Sequence, residues 1–254
     1  MKTPVVIRWL FSRRGRMIQA WSALAILPLI GAASVPDYRA ERAAMVADIQ
    51  ASEGRAGVPK FSEPVLNALR TVPRHQFVPP PMQPHAYANR PLPIGHGQTI
   101  SQPLIVAMMT EHLQLSPQDI VLEIGAGSGY QAAILSQLVR HVYTIEIVAP
   151  LAKTAADTLK RTGHDNVTVR QGDGYLGWPE HAPFDAIMVT AGAETIPEPL
   201  VEQLKPGGRM IIPVGKTATG QELVLVEKDA DGKIRKRDFG PVLFVPLTGI
   251  GQGK

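Results

Sequence analysis

The chain has 254 residues, of which 44% are hydrophobic, enough for one globular domain with a full core. Its net charge of +4 comes from the N-terminus, because residues 1–36 carry five basic residues and no acid, while the remaining 21 basic residues face 22 acidic ones. This balance argues against a nucleic-acid-binding surface, and the absence of cysteine excludes disulfides, thiolate metal sites and a cysteine nucleophile.

The N-terminal segment, residues 1–36, differs from the rest of the chain. Residues 17–36 contain no charged side chain and follow a basic stretch that includes Arg13-Arg14. This pattern is typical of an export signal or a membrane anchor. A mis-assigned start codon, or an apolar arm packed on the domain, would also explain it. We therefore predict a separate segment over 1–36 and a folded domain over 37–254.

The first part of that domain, residues 37–116, is predicted to be helical. The residues from Tyr38 to Glu53 lack Gly and Pro. Ser62 is expected to cap a second helix that runs to about Arg70, because a proline follows it in the first turn. A third helix is predicted over 103–115.

Two irregular segments separate the second and third helices. Four prolines between Phe77 and Pro84 predict an extended loop. Residues 85–101 are polar, rich in Gly and Pro and without periodicity. A long irregular stretch inside a domain is typical of a binding loop.

In the second part, residues 117–254, short apolar strands alternate with helices. Continuous apolar runs such as Ala186-Ile187-Met188-Val189 indicate a parallel sheet covered on both faces, and Asp231-Gly232 predicts an antiparallel hairpin. The expected fold class is therefore α/β, a Rossmann-like, doubly wound and mostly parallel sheet with an antiparallel C-terminal hairpin. Strands are predicted over 120–124, 142–145, 167–170, 186–189, 209–214, 222–227 and 234–239, and helices over 130–138, 149–162 and 199–204.

The most informative motif follows the first of these strands. Residues 123–129 read Glu-Ile-Gly-Ala-Gly-Ser-Gly, whereas a dinucleotide-binding loop needs its third glycine where Tyr130 stands. Glu123 would repel a pyrophosphate and attract a cation. S-adenosylmethionine carries an ammonium and a sulfonium and no phosphate, so the motif favours this cofactor over a nicotinamide dinucleotide.

Two further acids follow the next two strands. Glu146 stands at the end of the second strand, where a carboxylate binds ribose hydroxyls in nucleotide-binding folds. Asp173 and Gly174 follow the third strand, where an acid accepts a hydrogen bond from the adenine amino group and a glycine allows close approach. Each of these positions alone is weak evidence for a ligand site, but their order after three successive strands predicts a cofactor site.

Four further motifs lie outside the glycine loop, and the one over 98–103 is much narrower than the glycine loop. They are Val72-Pro73-Arg74-His75-Gln76-Phe77-Val78-Pro79, Pro91-Leu92-Pro93-Ile94-Gly95, Gln98-Thr99-Ile100-Ser101-Gln102-Pro103 and Leu204-Lys205-Pro206-Gly207-Gly208. With these motifs the chain resembles the protein-L-isoaspartate O-methyltransferase family over about residues 40–250. The resemblance implies the class I methyltransferase fold and S-adenosylmethionine as methyl donor.

The resemblance also implies a reaction and a set of site residues. The family methylates the α-carboxylate of L-isoaspartyl residues in damaged proteins and peptides, which are then the expected partners. Ser101 matches the family's active-site serine. The glycine loop and the resemblance together predict these cofactor-binding residues: Thr99, Ile100, Glu123, Gly125, Ala126, Gly127, Gly129, Glu146, Asp173 and Gly174.

The chemistry of this reaction limits what Ser101 has to do. An α-carboxylate has a pKa of about 3.3–3.7 and is ionised at neutral pH, so no general base is required. Our hypothesis is that Ser101 orients the substrate carboxylate and forms no covalent bond to it. An alternative is that Ser101 only caps the helix that begins at Gln102.

Metal binding and two other functions are alternatives to this interpretation. His75, His85 and His96 lack the short spacing of a zinc site, and we predict no metal. A methyltransferase with a different acceptor would share the glycine loop and its acids. A non-catalytic module that keeps only the cofactor site is the alternative from another class.

Cellular location depends on how the first 36 residues are interpreted. The cofactor is made in the cytosol and the family is mostly cytosolic, so a cytoplasmic protein is expected. The export-like segment leaves a periplasmic or inner-membrane-anchored protein as the alternative, with membrane contact only through that segment. A monomer that binds no nucleic acid is expected.

Overall fold

The computed structural model describes residues 37–55 and 57–250, so the predicted export-like segment lies outside the described residues. The helices are α1 (Arg39–Gln50), α2 (Glu63–Thr71), α3 (Pro103–Leu113), α4 (Tyr130–Ser136), α5 (Ala149–Arg161) and α6 (Glu198–Glu202). The strands are β1 (Leu92–Gly95), β2 (Gln98–Ile100), β3 (Ile120–Ile124), β4 (His141–Glu146), β5 (Val167–Gln171), β6 (Phe184–Val189), β7 (Leu204–Val214), β8 (Gln221–Lys228) and β9 (Ile234–Val242).

Seven strands form the central sheet in the order β5-β4-β3-β6-β7-β8-β9. Strands β3 to β7 pair in parallel, and β8 and β9 extend the sheet in antiparallel fashion. This arrangement confirms the predicted fold class. The order reverses at β3, which lies between β4 and β6, and ligands of such sheets bind at the carboxyl ends of the strands at this point.

Apolar side chains cover both faces of the sheet. Along β3 the side chains alternate, so that Val121 belongs to one hydrophobic cluster and Leu122 to the other. The first cluster includes the buried residues of α2 and α3, and the second includes Leu200 of α6. Burial on both faces explains why the parallel strands are continuously apolar.

The helix ends agree with the predicted bounds to within a few residues. Pro64 lies in the first turn of α2, as predicted. Helix α5 ends before Gly163, whose φ of +79° is adopted at little energetic cost by glycine alone. The predicted capping role of Ser62 is wrong. Its hydroxyl donates to Glu111 Oε2 of α3 at 2.8 Å, so it joins two helices and leaves the α2 amides without a side-chain cap.

Two predictions about the segment before α3 are corrected by the structure. The proline-rich stretch is not extended, because residues 80–85 form a 3₁₀ turn in which the Met82 amide donates to the Pro79 carbonyl at 2.8 Å. The fixed φ of proline suits the first positions of such a turn. The predicted irregular loop over 85–101 contains the two-stranded β1–β2 sheet, whose turn has positive φ at Gly95, His96 and Gly97.

The C-terminal hairpin forms where the sequence predicts it. Asp229 Oδ1 accepts hydrogen bonds from the amides of Asp231 and Lys233, and Gly232 has a φ of +81°. Strand β7 begins earlier than predicted, at Leu204. The Lys-Pro-Gly-Gly segment expected to end the preceding helix forms an irregularity in the pairing of β7 with β6.

Candidate functional site

The glycine loop connects β3 to α4 at the carboxyl edge of the sheet. Gly125, Gly127 and Gly129 have φ values of +92°, +54° and +86°, which other residues adopt only with strain. A Cβ on Gly125 would lie 2.5 Å from Thr190 Oγ1, and the Gly125 amide donates to the Ile145 carbonyl at 2.8 Å. The loop therefore passes close to its neighbours and presents bare backbone at the strand ends.

A cleft lies over this loop, and we call it the glycine-loop cleft. The structure brings five of the predicted cofactor-binding residues into its wall, namely Thr99, Gly125, Gly127, Glu146 and Gly174. The wall is formed by Gln98, Thr99, Ile124, Gly125, Gly127, Ile145, Glu146, Ile147, Val148, Gly174, Thr190, Ala191, Val245, Pro246, Leu247 and Thr248.

Glu146 is a buried carboxylate in the wall of this cleft. Its Oε2 accepts the Gly127 amide at 2.7 Å, and its Oε1 accepts the Val148 amide at 2.9 Å. Each carboxylate oxygen has two lone pairs, so both retain capacity to accept from a ligand hydroxyl. Glu146 therefore holds the glycine loop in place and also presents acceptors to the cleft.

Asp173 and Gly174 occupy different places. Gly174 lies in the cleft wall, and a Cβ there would overlap Ile124 Cγ2. Asp173 lies beside the wall, where its Oδ1 accepts the Tyr175 amide at 2.9 Å and its Oδ2 accepts the Ile250 amide at 2.8 Å. The C-terminal segment thus already uses the carboxylate that was expected to face adenine.

Glu123 is placed differently from its sequence-based expectation. Its side chain is fully buried and hydrogen-bonded by the Thr144 hydroxyl, and it does not line the cleft. Burial raises its pKa to about 8, helped by the nearby charge of Glu146 and opposed by the Thr144 hydrogen bond. The expected attraction of a cationic cofactor needs an ionised carboxylate, and burial disfavours that form of Glu123.

Ser101 lies between two further cavities. The inner cavity is bounded by Thr99, Ile100, Ser101, Val106, Gly125, Ala126, Gly127, Ser128, Tyr130, Gln131 and Thr190. The second, which we call the Ser101 pocket, is bounded by Pro91, Thr99, Ser101, Gln102, Ile105, Thr190, Pro241, Val242, Leu243, Phe244 and Val245. Both cavities share Thr99 and Thr190 with the glycine-loop cleft, so the three spaces adjoin.

The interpretation of Ser101 as only a helix cap is wrong. Helix α3 begins at Pro103 with Gln102 in the capping position, and that end has no side-chain cap. Among the residues that the structure describes, none hydrogen-bonds the Ser101 hydroxyl. The hydroxyl therefore remains available to a ligand in either cavity.

A model of the protein-L-isoaspartate(D-aspartate) O-methyltransferase family matches residues 47–252. The chain belongs to this family. Its reaction is methyl transfer from S-adenosylmethionine to isoaspartyl residues of proteins, as predicted. The buried acceptors and the bare glycine backbone of the cleft suit a nucleoside cofactor without phosphate.

Individual relatives support the same assignment. The protein-L-isoaspartate O-methyltransferase 2 of Syntrophobacter fumaroxidans is 58% identical over 224 residues, which cover 87% of this chain and 90% of the relative. The protein-L-isoaspartate O-methyltransferase 1 of Cupriavidus necator is 56% identical over 213 residues, covering 84% of this chain and 81% of the relative.

Two solved structures share the fold. One protein-L-isoaspartate O-methyltransferase superimposes with a TM-score of 0.73 at 30% identity, covering 83% of this chain and 67% of its own. A Plasmodium falciparum protein described as a protein-L-isoaspartate O-methyltransferase, in complex with S-adenosyl-L-homocysteine, gives a TM-score of 0.71 at 25% identity. That match covers 84% of this chain and 99% of its own.

Two parts of the cleft wall are not predicted from the sequence. Thr190 follows β6, and its hydroxyl donates to the Gly125 carbonyl at 2.6 Å. Its position directly after a buried strand could have revealed it, because the ends of neighbouring parallel strands meet. The C-terminal segment is anchored by the Leu247 amide, which donates to the Gly192 carbonyl at 2.8 Å, and no local sequence signal marks it.

The histidines show no common site. His75 Nδ1 and the Tyr87 hydroxyl are 2.8 Å apart, so this ring is engaged in a local hydrogen bond. Within residues 37–55 and 57–250, no group of three or more His, Asp or Glu side chains is arranged to hold a metal ion. In the same part of the chain, none of the helices is long and apolar enough to span a membrane.

Proposed function

We propose that the glycine-loop cleft holds S-adenosylmethionine and that the Ser101 pocket holds the isoaspartyl residue of the substrate. One observation carries this proposal: Thr99 and Thr190 line both spaces, so a methyl donor in one and an acceptor in the other would meet at these two residues. Both threonines lie beside Gly125 in the inner cavity.

On the cofactor side, we assign roles by position in the cleft. Glu146 binds the ribose hydroxyls, because its buried oxygens face the cleft while their backbone partners fix the carboxylate. Gly174 has no side chain and lets the adenine ring lie close to the backbone. Asp173 accepts a hydrogen bond from the adenine amino group once the Ile250 amide leaves Oδ2 or shares this oxygen with the ligand.

The remaining predicted cofactor residues are assigned to the donor end. Gly125 and Gly127 line the cleft and keep the loop backbone close to the ligand, and Ala126 supplies a small side chain between them. Gly129 lines neither cavity and lets the loop pack against α5, because a Cβ there would lie 3.2 Å from Leu159. Thr99 closes the cleft from the β1–β2 side, and Ile100 lines the adjoining inner cavity. Glu123 acts from below by supporting Thr144 and β4 as a neutral group.

On the substrate side, Ser101 donates its hydroxyl to the isoaspartyl α-carboxylate and holds one oxygen in line for transfer. Bound S-adenosylmethionine supplies an electrophilic methyl group, which the carboxylate oxygen takes as the methyl–sulfur bond breaks and sulfur keeps the electron pair. A hydrogen bond from Ser101 also replaces part of the water that the carboxylate loses on entering the pocket. Holding the reacting atoms in place is the main source of acceleration.

The direct test is methyl transfer by the full chain from S-adenosylmethionine with a labelled methyl group. Two peptides would be compared that differ only in having isoaspartate or aspartate at one position. We expect base-labile label in the isoaspartyl peptide alone. Labelling of both peptides, or of neither while the cofactor binds, would contradict the proposed acceptor.

We also propose that the protein acts as a cytoplasmic monomer and binds no nucleic acid. Its cofactor is made in the cytosol, and the charge outside residues 1–36 is nearly balanced. The division of the chain at residues 36 and 37, and at 116 and 117, stays a prediction. Recovery of a shortened protein from the periplasm or inner membrane, or a dimer by light scattering, would contradict this proposal.

A further inference from the structure

Arg74 is a fully buried arginine beside the active-site loop. Its side chain has 0% exposure, and no carboxylate pairs with it among the residues that the structure describes. Burial lowers its pKa to about 10, so the guanidinium remains charged at neutral pH. A buried cation without a counter-ion is costly to fold around, which makes its contacts informative.

The guanidinium binds two backbone carbonyls on different segments. Its Nε donates to the Ala86 carbonyl at 2.8 Å, and its Nη2 donates to the Ser101 carbonyl at 2.7 Å. The planar fork of arginine fixes the direction of both bonds at once. The Ser101 carbonyl is therefore held in place by a rigid, buried group.

The same guanidinium lies against the start of α4. Its central carbon is 4.8 Å from the centroid of the Tyr130 ring, within the range of a cation–π interaction. Tyr130 directly follows Gly129 of the glycine loop, and both Tyr130 and Ser101 line the inner cavity. One side chain thus contacts the segment that carries Ser101 and the segment that carries the glycine loop.

We propose that Arg74 is a positioning residue that sets Ser101 at a fixed place relative to the glycine loop, and with it the substrate carboxylate relative to the methyl donor. Arg74 touches neither ligand in this proposal and acts through the main chain of Ser101. The inference rests on the proposed role of Ser101 and adds the group that makes that role effective.

The principal test is Arg74→Lys in the full chain. One ammonium cannot reproduce two fixed, divergent bonds to Ala86 and Ser101, so Ser101 should lose its placement. We expect kcat for an isoaspartyl peptide to fall about 10–100-fold, the scale of a displacement of about 1 Å. The dissociation constant of S-adenosylhomocysteine should stay within about 3-fold, because the glycine loop keeps its own contacts with Glu146 and Thr190.

Arg209→Lys is the matched control. Arg209 is a partly buried arginine whose Nε lies 3.2 Å from Glu227 Oε1, near the amino end of β6 and far from the strand ends that carry the site. Its substitution should leave kcat unchanged. An equal loss of kcat in the two variants would overturn the assigned role of Arg74.

A double-mutant cycle separates this proposal from the role of Ser101. If Arg74 acts through Ser101, Arg74→Lys in a Ser101→Ala background should cost at most about 3-fold in kcat, since coupled residues are not additive. The same fold-loss in both backgrounds would overturn the proposal for Arg74. Full activity of Ser101→Ala alone would instead contradict the proposed function of Ser101.

A second variant guards against a failure of Arg74→Lys to fold. Arg74→Gln buries no charge and donates to only one of the two carbonyls, so it should fold while losing the placement of Ser101. The concentration of folded enzyme would be measured by titration with S-adenosylhomocysteine, and kcat would be calculated from that concentration. We expect kcat to fall by the same factor as in Arg74→Lys. Wild-type kcat in Arg74→Gln would overturn the proposal.

Discussion

The glycine-loop cleft and the Ser101 pocket adjoin at one edge of the sheet but are assembled differently. The cleft takes most of its wall from residues that directly follow or end β3, β4 and β6. The Ser101 pocket joins the segment around the β1–β2 sheet to the end of β9, which are distant in sequence. The first is therefore fixed by strand ends, whereas the second depends on how two separate segments pack.

The chemistry of the two walls differs in the same way. Backbone amides, positive-φ glycines and a buried carboxylate form the cleft, which suits a ligand of constant structure. Apolar side chains such as Ile105, Val242 and Phe244 form much of the Ser101 pocket, with Ser101 as a polar contact. Such a pocket suits a peptide whose side chains vary around one common group.

Gly125→Ala should produce the largest effect, on the cleft side. The new Cβ would lie 2.5 Å from Thr190 Oγ1 at a strained φ of +92°, so the loop or the Thr190 side chain that is hydrogen-bonded to it must shift. We expect binding of S-adenosylhomocysteine, measured by calorimetry, to weaken by about 100-fold or more. The matched control is Gly207→Ala, where φ is +82° but a Cβ meets nothing within 4 Å. It should cost about 1–2 kcal/mol of stability and leave binding intact.

Near-normal binding of S-adenosylhomocysteine by Gly125→Ala would contradict the distinction between a backbone-built cleft and a side-chain-built Ser101 pocket. It would mean that the cleft tolerates side chains where the structure places bare backbone. Equal loss of binding in Gly207→Ala would have the same consequence, because Gly207 lies in the irregular part of β7 and outside the cleft wall.

Ser101→Ala should give the next largest effect, on the substrate side alone. A hydrogen bond to a charged group contributes about 1.5–3 kcal/mol, so kcat/KM for an isoaspartyl peptide should fall about 10–100-fold. Binding of S-adenosylhomocysteine should be unchanged. The control is Ser62→Ala, which removes a hydroxyl that is hydrogen-bonded to Glu111 near the carboxyl end of α3. A matching fall in cofactor affinity would show that the two spaces are not separable.

The contrast explains how much of the site could be predicted from sequence. Gly125, Glu146 and Gly174 could be predicted to lie together because parallel strands bring their carboxyl ends together, and each residue stands at or just after such an end. The same rule would have found Thr190. The fold class followed from the same apolar strands, which form the parallel part of the sheet.

The misplaced and missed residues have physical reasons as well. Glu123 stands one residue before the end of β3, and alternation along a strand turns it to the face opposite Ile124 and away from the cleft wall. The C-terminal segment reaches the cleft through backbone bonds between Gly192 and Leu247, which any sequence could make. The motif around Arg74 does not show that its side chain is buried. The structure shows both this burial and the hydrogen bond to the Ser101 carbonyl.

The pH dependence of stability tests whether the charge of Glu123 or the loop backbone dominates the cleft. Burial raises the pKa of Glu123 from 4.5 to about 8, so the folded protein holds a proton that the unfolded chain has released between these values. The contribution of protonated Glu123 to the stability of the folded protein is fully present below pH 4.5 and is lost as the pH rises through 8. Between these limits the wild-type unfolding free energy should fall, relative to Glu123→Gln, by at most about 1.4 kcal/mol per pH unit.

Urea unfolding of both proteins without cofactor, at pH values from 5 to 8, checks this difference. Parallel pH curves would show that Glu123 is ionised in the folded protein. In that case its charge would be available to attract the cofactor, as the sequence alone predicts, and the cleft would no longer be a site made chiefly by backbone.

The smallest effect belongs to the apolar wall of the Ser101 pocket. Leu243 is 77% exposed although it lines this pocket, so a bound peptide would cover it. Leu243→Ala should raise KM about 2–5-fold for an isoaspartyl peptide with an apolar neighbour and leave kcat unchanged, because the contact adds equally to ground state and transition state. Leu176→Ala is the matched control, since Leu176 is 47% exposed and lies outside the three cavities. An unchanged KM would place the peptide elsewhere on the surface and leave Ser101 without the pocket that brings its substrate.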